Sequence, residues 1–417
     1  MKSTPHPTNT PKQRRAAQVA QVATLAATLI GTAVLPLSAR AEAVRLGGWA
    51  SLELRHFFQS PAFAGQQEDS QLSALLRPEW SWESDERDWQ AAFVPFLRVD
   101  GGDDERSHAD IRELWIRHIG RDWEITAGVT KVFWGVTESR HLVDIINQTD
   151  LVEDLDGEDK LGQPLIQLTT VNDAGTWSAF LLAGSRERSF PGAEGRFRAA
   201  LPVDTDNSRY HGGAGRENPD LAARWSNYFG DWDMGLSAFH GTGREPRLLP
   251  NTTLTALEPH YDRITQFGLD AQFTRDGWLW KFEGIHREGQ GEHFQAAVAG
   301  FEYSFYQVLE TDADLGLLAE YLYDGRDASA PPTPFDDDLF LGARLTLNDA
   351  QSSSLLAGMV LDPDSGERFF SVEAERRLSP NLNLELRLRA VDNTQPGDAL
   401  HGFARDDYLQ LRINWFF

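Results

Sequence analysis

The sequence predicts an all-β protein, an antiparallel transmembrane β-barrel of about 18 strands with 16 as the alternative count. Three observations carry this reading. The first forty or so residues have the layout of an export leader, the rest alternates apolar and polar residues, and the links between alternating segments are short and long by turns. Two regions follow: residues 1–41 as a secretory signal peptide and 42–417 as a single barrel domain.

In the leader, Lys2, Lys12, Arg14 and Arg15 come first, and no acidic residue occurs before Glu42. An Ala-rich apolar stretch runs from Ala16 to Leu37, and Ala39-Arg40-Ala41 then supplies an A-x-A cleavage site. Charged, apolar and small-residue regions in that order make a secretory signal. The Arg14-Arg15 pair lacks twin-arginine context, which points to the general secretion pathway. Cleavage would remove five basic residues and no acidic one, taking the formal charge from −24 to −29. So acidic a chain is not a nucleic-acid binder. Cysteine is absent, which excludes disulfide scaffolds and Cys-ligated metal centres. Mean hydropathy is −0.43, and no apolar run after residue 40 is long enough for a spanning helix. A barrel escapes that test because only every second residue of its strands is apolar.

The alternation is cleanest at the end of the chain. Leu409, Leu411, Ile413, Trp415 and Phe417 alternate with Gln410, Arg412 and Asn414. Period-2 patterning gives a strand one apolar and one polar face. The pattern recurs in Leu382, Leu384, Leu386 and Leu388 around Glu385, Arg387 and Arg389, and in Leu315 to Tyr323 around Glu320. It also recurs in Phe267 to Phe273 around Asp270, and in Trp278, Trp280 and Phe282 around Lys281 and Glu283. Large aromatics sit at many strand ends on the apolar face, as in an interfacial girdle.

Short links rich in Gly, Asn, Asp or Pro fall at 120–122, 172–175, 230–231, 276–277, 348–351 and 379–381. Long links fall at 58–70, 101–108, 135–164, 186–218, 242–261, 325–336 and 393–403. Segregation of long links to one end is expected of a barrel with short periplasmic turns and long extracellular loops.

The terminal alternation of Leu409, Leu411, Ile413, Trp415 and Phe417 resembles the C-terminal assembly signature of Gram-negative outer-membrane proteins. That resemblance implies recognition by the barrel-assembly machinery. A second one lies in Ile111 to Ile116, Ala127 to Gly135 and Asp144 to Asn147. It is similar to a strand–turn–strand–loop segment of porin-like families, including alginate-export-type and phosphate-selective-type barrels. In those families the stretch ending in Trp-Gly leads into a third extracellular loop that folds into the pore. Asn147 is followed by Gln148 where some relatives have Pro.

Residues 135–164 carry Glu138, Asp144, Asp150, Glu153, Asp154, Asp156, Glu158 and Asp159 against Arg140 and Lys160. If the loop enters the lumen, these residues make an acidic constriction that selects ions by sign. Arg224, Arg344, Glu385, Arg387, Arg389 and Arg412 are assigned to the facing lumen wall, where they would set up a transverse field. The alternative places the loop on the outer surface, with its acids bridged to lipopolysaccharide by divalent cations. Asp154, Asp156 and Glu158 around Gly157 have the spacing of the start of a calcium loop, but the downstream bidentate Glu is missing. No other cofactor or metal is expected.

The expected function is an outer-membrane porin, a channel for passive diffusion or export of small hydrophilic solutes. Hydrolase motifs are absent and the histidines are scattered, so no catalytic residue is assigned. The alternatives are a barrel-borne enzyme acting on outer-membrane lipid, and a plugged structural or adhesion barrel. Expected partners are outer-membrane lipid, lipopolysaccharide, the assembly machinery and solutes, the barrel being a homotrimer or a monomer.

Overall fold

The computed structural model describes residues 44–417. The expected leader, 1–41, lies outside the described residues. The first seven strands are β1 (Val44–Phe57), β2 (Ser70–Glu83), β3 (Trp89–Asp100), β4 (His108–Ile119), β5 (Trp123–Thr130), β6 (Gln163–Asn172) and β7 (Gly175–Leu182). Next come β8 (Arg209–Tyr210), β9 (Asp220–Phe229), β10 (Trp232–Thr242), β11 (Arg247–Pro250), β12 (Leu257–Tyr261), β13 (Arg263–Arg275) and β14 (Trp278–Glu288). The last are β15 (Phe294–Phe305), β16 (Asp314–Asp324), β17 (Asp337–Thr346), β18 (Ser354–Leu361), β19 (Arg368–Ser379), β20 (Leu382–Asp392) and β21 (Tyr408–Phe416).

Eighteen of these strands form one antiparallel sheet. It closes on itself because β1 pairs with β2 on one side and β21 on the other, from Trp49↔Phe416 to Phe57↔Tyr408. Closure leaves no open edge, the condition for strands in a medium that offers no hydrogen bonds. The other three strands, β8, β11 and β12, form a small sheet among the long loops, with β12 and β8 parallel. Its Tyr210 and Tyr261 rings stack at 5.0 Å.

The outside is apolar and the inside polar, the reverse of a soluble domain. In β1, Leu52 and Leu54 are 40% and 45% exposed, whereas Glu53 and Arg55 between them are 1% and 3% exposed. A surface of this kind is a lipid-facing one. At the end bearing the short turns it is ringed by aromatics in cross-strand contact, such as Trp232–Phe273 at 4.9 Å and Trp278–Tyr303 at 4.6 Å. The longest connections lie at the other end, as the sequence predicts, and the short-turn end carries one eight-residue link, 306–313.

Two departures from a regular ladder have local causes. The β3–β4 register shifts between Val94 and Pro95, where proline has no N–H to give the ladder. Strand β5 stops at Thr130. There the side chain of Asn147 takes over the role of a neighbouring strand. Its Oδ1 accepts from Val132 N at 2.8 Å, and its Nδ2 donates to Thr130 O at 3.0 Å and Leu161 O at 2.8 Å. This one side chain staples together the two ends of residues 131–162.

The inward face of the wall is divided. From β6 to β17 it presents apolar side chains, among them Leu165, Phe180, Phe239, Ile285, Leu318, Leu322 and Phe340. From β19 through β1 to β4 it presents Arg387, Arg389, Arg412, Glu53, Arg55, Arg98 and Arg112.

Candidate functional site

Residues 131–162 match that division. Their first half is apolar: Trp134, Leu142, Val143, Ile145 and Ile146 are buried in one cluster with the apolar arc of the wall. Removing each such side chain from lumen water is worth about 1.5–3 kcal/mol. The second half is acidic and meets the arginine arc.

Two wall carboxylates hold the backbone of the first half. Glu283 Oε1 accepts from Val136 N at 2.7 Å and Thr137 N at 3.0 Å and lies 2.7 Å from Thr137 Oγ1, and its Oε2 accepts from Val143 N at 3.1 Å. Glu320 accepts from Glu138 N and Ser139 N, each at 2.8 Å, and from Ser139 Oγ at 2.6 Å. Gly135 (φ +152°) passes so close that a Cβ there would lie 2.8 Å from His141 Nδ1 and 3.1 Å from Glu283 Oε1. His141 itself lies between Glu158 at 3.0 Å and Glu283 at 3.6 Å. Burial opposes its charge, but these two carboxylates prevail and push its pKa up to about 10.

In the second half, Asp150 pairs with Arg112 at 2.5 Å, and Glu153 pairs with Arg98 at 2.5 Å. Arg98 also reaches Glu53, at 3.4 Å, as do Arg106 at 2.8 Å and Arg412 at 2.6 Å. Asp154 bonds Arg387, and Asp156 lies 3.2 Å from Arg389. Burial raises both aspartates, but Arg387 and Arg389 hold Asp154 below the usual range. Asp156 is left raised, because burial and the Asp154 charge outweigh the same arginines. It stays in contact with lumen water.

The sequence-assigned loop and wall residues are in or against the lumen, but apart from Asp159 the acids and arginines touch rather than face each other across an opening. Besides the pairs above, Glu138 meets Arg344 at 2.8 Å and Lys281 at 3.5 Å, Arg140 meets Asp324 at 3.0 Å, and Lys160 meets Asp144 at 3.2 Å. Arg224 forks onto Asp270 at 2.7 and 2.8 Å, and Arg412 is 3.5 Å from Glu385. The expected transverse field is therefore largely collapsed into contact pairs. Asp154, Asp156 and Glu158, the calcium-spaced trio, each lie on a cation of the protein. Leu409, Leu411, Ile413 and Trp415 face outward, and Trp415 touches Phe417 at 5.2 Å.

Two charges of the segment stay free. Among the described residues Lys131 and Asp159 have no ion pair and no side-chain hydrogen bond to another residue's side chain. Burial and then Arg112 and Arg77 push Lys131 down to about 8. Burial and then Glu153 and Asp154 push Asp159 up. On the short-turn side an open recess of 330 Å³ is lined by Arg45, Arg77, Glu79, Ser81 and Glu113 and, in equal number, by Leu46, Gly47, Trp80, Ala92 and Val94.

Glu53, Arg98, Arg112, Glu283 and Glu320 were not singled out as site residues from sequence. Strand parity marks most of them as inward, as it does for Glu283 beside Phe282, but carries no sign of what they bind.

No protein-family profile and no curated protein matches the chain. Solved structures similar to it include a double mutant of the Rh. blastica porin, at 11% identity and TM-score 0.43, covering 90% of this chain and 100% of that one. Another is Pseudomonas aeruginosa OpdQ, at 13% identity and TM-score 0.47, covering 90% of this chain and 97% of that one. The strand count and closure stand on this chain's own hydrogen-bond ladders.

Proposed function

We propose that the chain is an outer-membrane channel for small hydrophilic solutes, exported by general secretion, with residues 131–162 as its constriction. The observation that supports this is an open recess with charged side chains in its lining, two of which, Arg77 and Glu113, act on Lys131 of a segment that leans on both arcs of the wall. Charged side chains on the inner wall that stay in contact with water can replace part of the hydration of what passes. Lys131 and Asp159, the unpaired charges of the segment, are the groups a solute would meet, with Arg77 behind them. Because they differ in sign, the channel should discriminate weakly between cations and anions.

A plugged barrel is the second reading, favoured by the dry contact between Trp134, Val143 and Ile146 and the wall. Reconstitution in planar bilayers separates the two. Stepwise conductance in protein that retains its barrel, checked by heat-shifted gel mobility, supports the channel. Folded protein that never conducts is a plugged barrel.

A further inference from the structure

A second charge cluster lies nearer the long-loop mouth and shares only Arg140 with the constriction segment. Glu245 follows β10 in the 243–262 connection. Its Oε2 accepts from Arg287 Nη1 at 2.8 Å and Arg326 Nη1 at 3.2 Å. Arg140 and Arg188 add their fields from the two other long connections. Phe294 forms the floor, its ring 5.5 Å from the Arg287 guanidinium carbon and 4.9 Å from that of Arg326.

The cluster has more positive charge than it uses. Four arginines face two carboxylates, Glu245 and Asp324, and Asp324 is shared by Arg140 at 3.0 Å and Arg326 at 2.8 Å. Arg188 has no carboxylate partner among the described residues, and its Nε donates to Gln148 at 3.3 Å. Both bonds to Glu245 end on Oε2, and its side chain is 30% exposed. A partly exposed carboxylate that uses only one of its oxygens on two arginines resembles a replaceable ligand more than a structural pair, since guanidinium donors suit oxyanions held by two oxygens.

We propose that Arg140, Arg188, Arg287 and Arg326 form an oxyanion-binding site at the long-loop mouth, with Glu245 as an internal carboxylate that occupies it until a solute displaces it. The ligand is a soluble carboxylate or phosphate rather than a lipid headgroup, because Arg287 points inward from β14, away from lipid. Displacement breaks the side-chain links from Glu245 to Arg287 of β14 and to Arg326, while Gln290 still holds the Glu245 carbonyl. The site rests on the channel reading only in that solutes enter by this mouth.

Calorimetric titration of the detergent-solubilised barrel tests this, with inorganic phosphate, succinate and, as control, chloride at fixed ionic strength. A competitor that fills the site nine times in ten weakens an outside ligand about tenfold. Glu245→Gln and Glu245→Ala should therefore each bind phosphate or succinate about tenfold more tightly than the native chain. Adding Arg188→Ala to Glu245→Gln should remove most of that gain. Equal affinity in the native chain and both Glu245 variants, or no oxyanion binding by any of them, would overturn the proposal. Gel mobility reports folding, and the near-isosteric Gln variant decides if the Ala variant misfolds. Conductance in chloride alone reports the channel reading separately, so either can fail without the other.

Discussion

Thr137 gives its N–H at 3.0 Å to one carboxylate oxygen of Glu283, and its hydroxyl, with a single hydrogen, lies 2.7 Å from that same oxygen and 2.7 Å from the Arg140 carbonyl. Thr137 belongs to an irregular segment and Glu283 to β14, and the same carboxylate also takes Val136 and Val143. Glu283→Ala should therefore leave several buried N–H groups unpaired, at about 1–3 kcal/mol each where water does not replace the bond. The barrel ladders do not depend on these bonds. The variant should keep its heat-shifted mobility while residues 131–162 become sensitive to protease and quicker in hydrogen exchange. Unchanged protection there would show that the carboxylate does not hold the segment.

Asp154 and Arg387 should behave as a coupled pair. Breaking a buried pair costs about 3–5 kcal/mol, and lumen water at Arg387 puts this one at the low end. Arg387→Ala should speed amide exchange across residues 149–160, and Asp154→Asn in the same chain should recover part of the loss. Strict additivity of the two changes would deny the coupling.

Neither partner choice was legible in the sequence, although much around it was. Alternation placed Glu283, Glu320, Arg387, Arg389 and Arg412 inside, because a side chain's face follows its parity within a strand. The link lengths located the loop-bearing end. Parity, however, does not say what an inward residue touches, and Arg387 and Asp154 are 233 positions apart. Counting charge over 135–164 also masked the apolar run Leu142–Ile146, which the acids outnumber in sequence but which docks on its own arc. Arg98 and Arg112 went unnoticed because a bulge at Pro95 interrupts the alternation around them.

Ion preference should shift with pH. Lys131, with its pKa pushed down to about 8, is charged below that pH and neutral above it. Asp156, raised to about 7 by burial and the Asp154 charge, gains its negative charge over an overlapping range. Both changes remove net positive charge as pH rises, so reversal potentials in a salt gradient should move toward cation preference between pH 6 and pH 9, a window spanning about one unit either side of the two pKa values. Because the fold raises the Asp156 pKa, its contribution to the packed segment is full only below its ordinary value and is lost as pH rises through about 7. Lys131→Met and Asp156→Asn should each remove part of the shift. A shift of full size in both variants would place the titrating groups elsewhere.

Calcium should have little hold on Asp154, Asp156 and Glu158. Binding it requires pulling these carboxylates away from Arg387, Arg389 and His141. Millimolar calcium should leave thermal unfolding of the detergent-solubilised barrel unchanged. A rise that chelator reverses, and that Asp154→Asn abolishes, would mean that the trio rearranges into a site.

The exterior can be probed from one strand. Leu411 faces outward from β21 and Gln410 inward, where it accepts from Arg55 at 2.8 Å. Leu411→Arg should lower folding stability into vesicles by about 2–4 kcal/mol if it lies near the bilayer midplane, and less toward either interface. Refolding titrations in urea check this, and a neutral outcome would contradict the lipid-facing assignment.

The measurement closest to the central claim is single-channel conductance of the native chain beside Glu283→Ala/Glu320→Ala. These two carboxylates hold residues 136–143, so releasing both should widen the passage. The native chain should conduct in small steps, and the double variant in larger ones with more frequent transitions. Identical steps in the two proteins, or none in folded native protein, would contradict a channel constricted by residues 131–162.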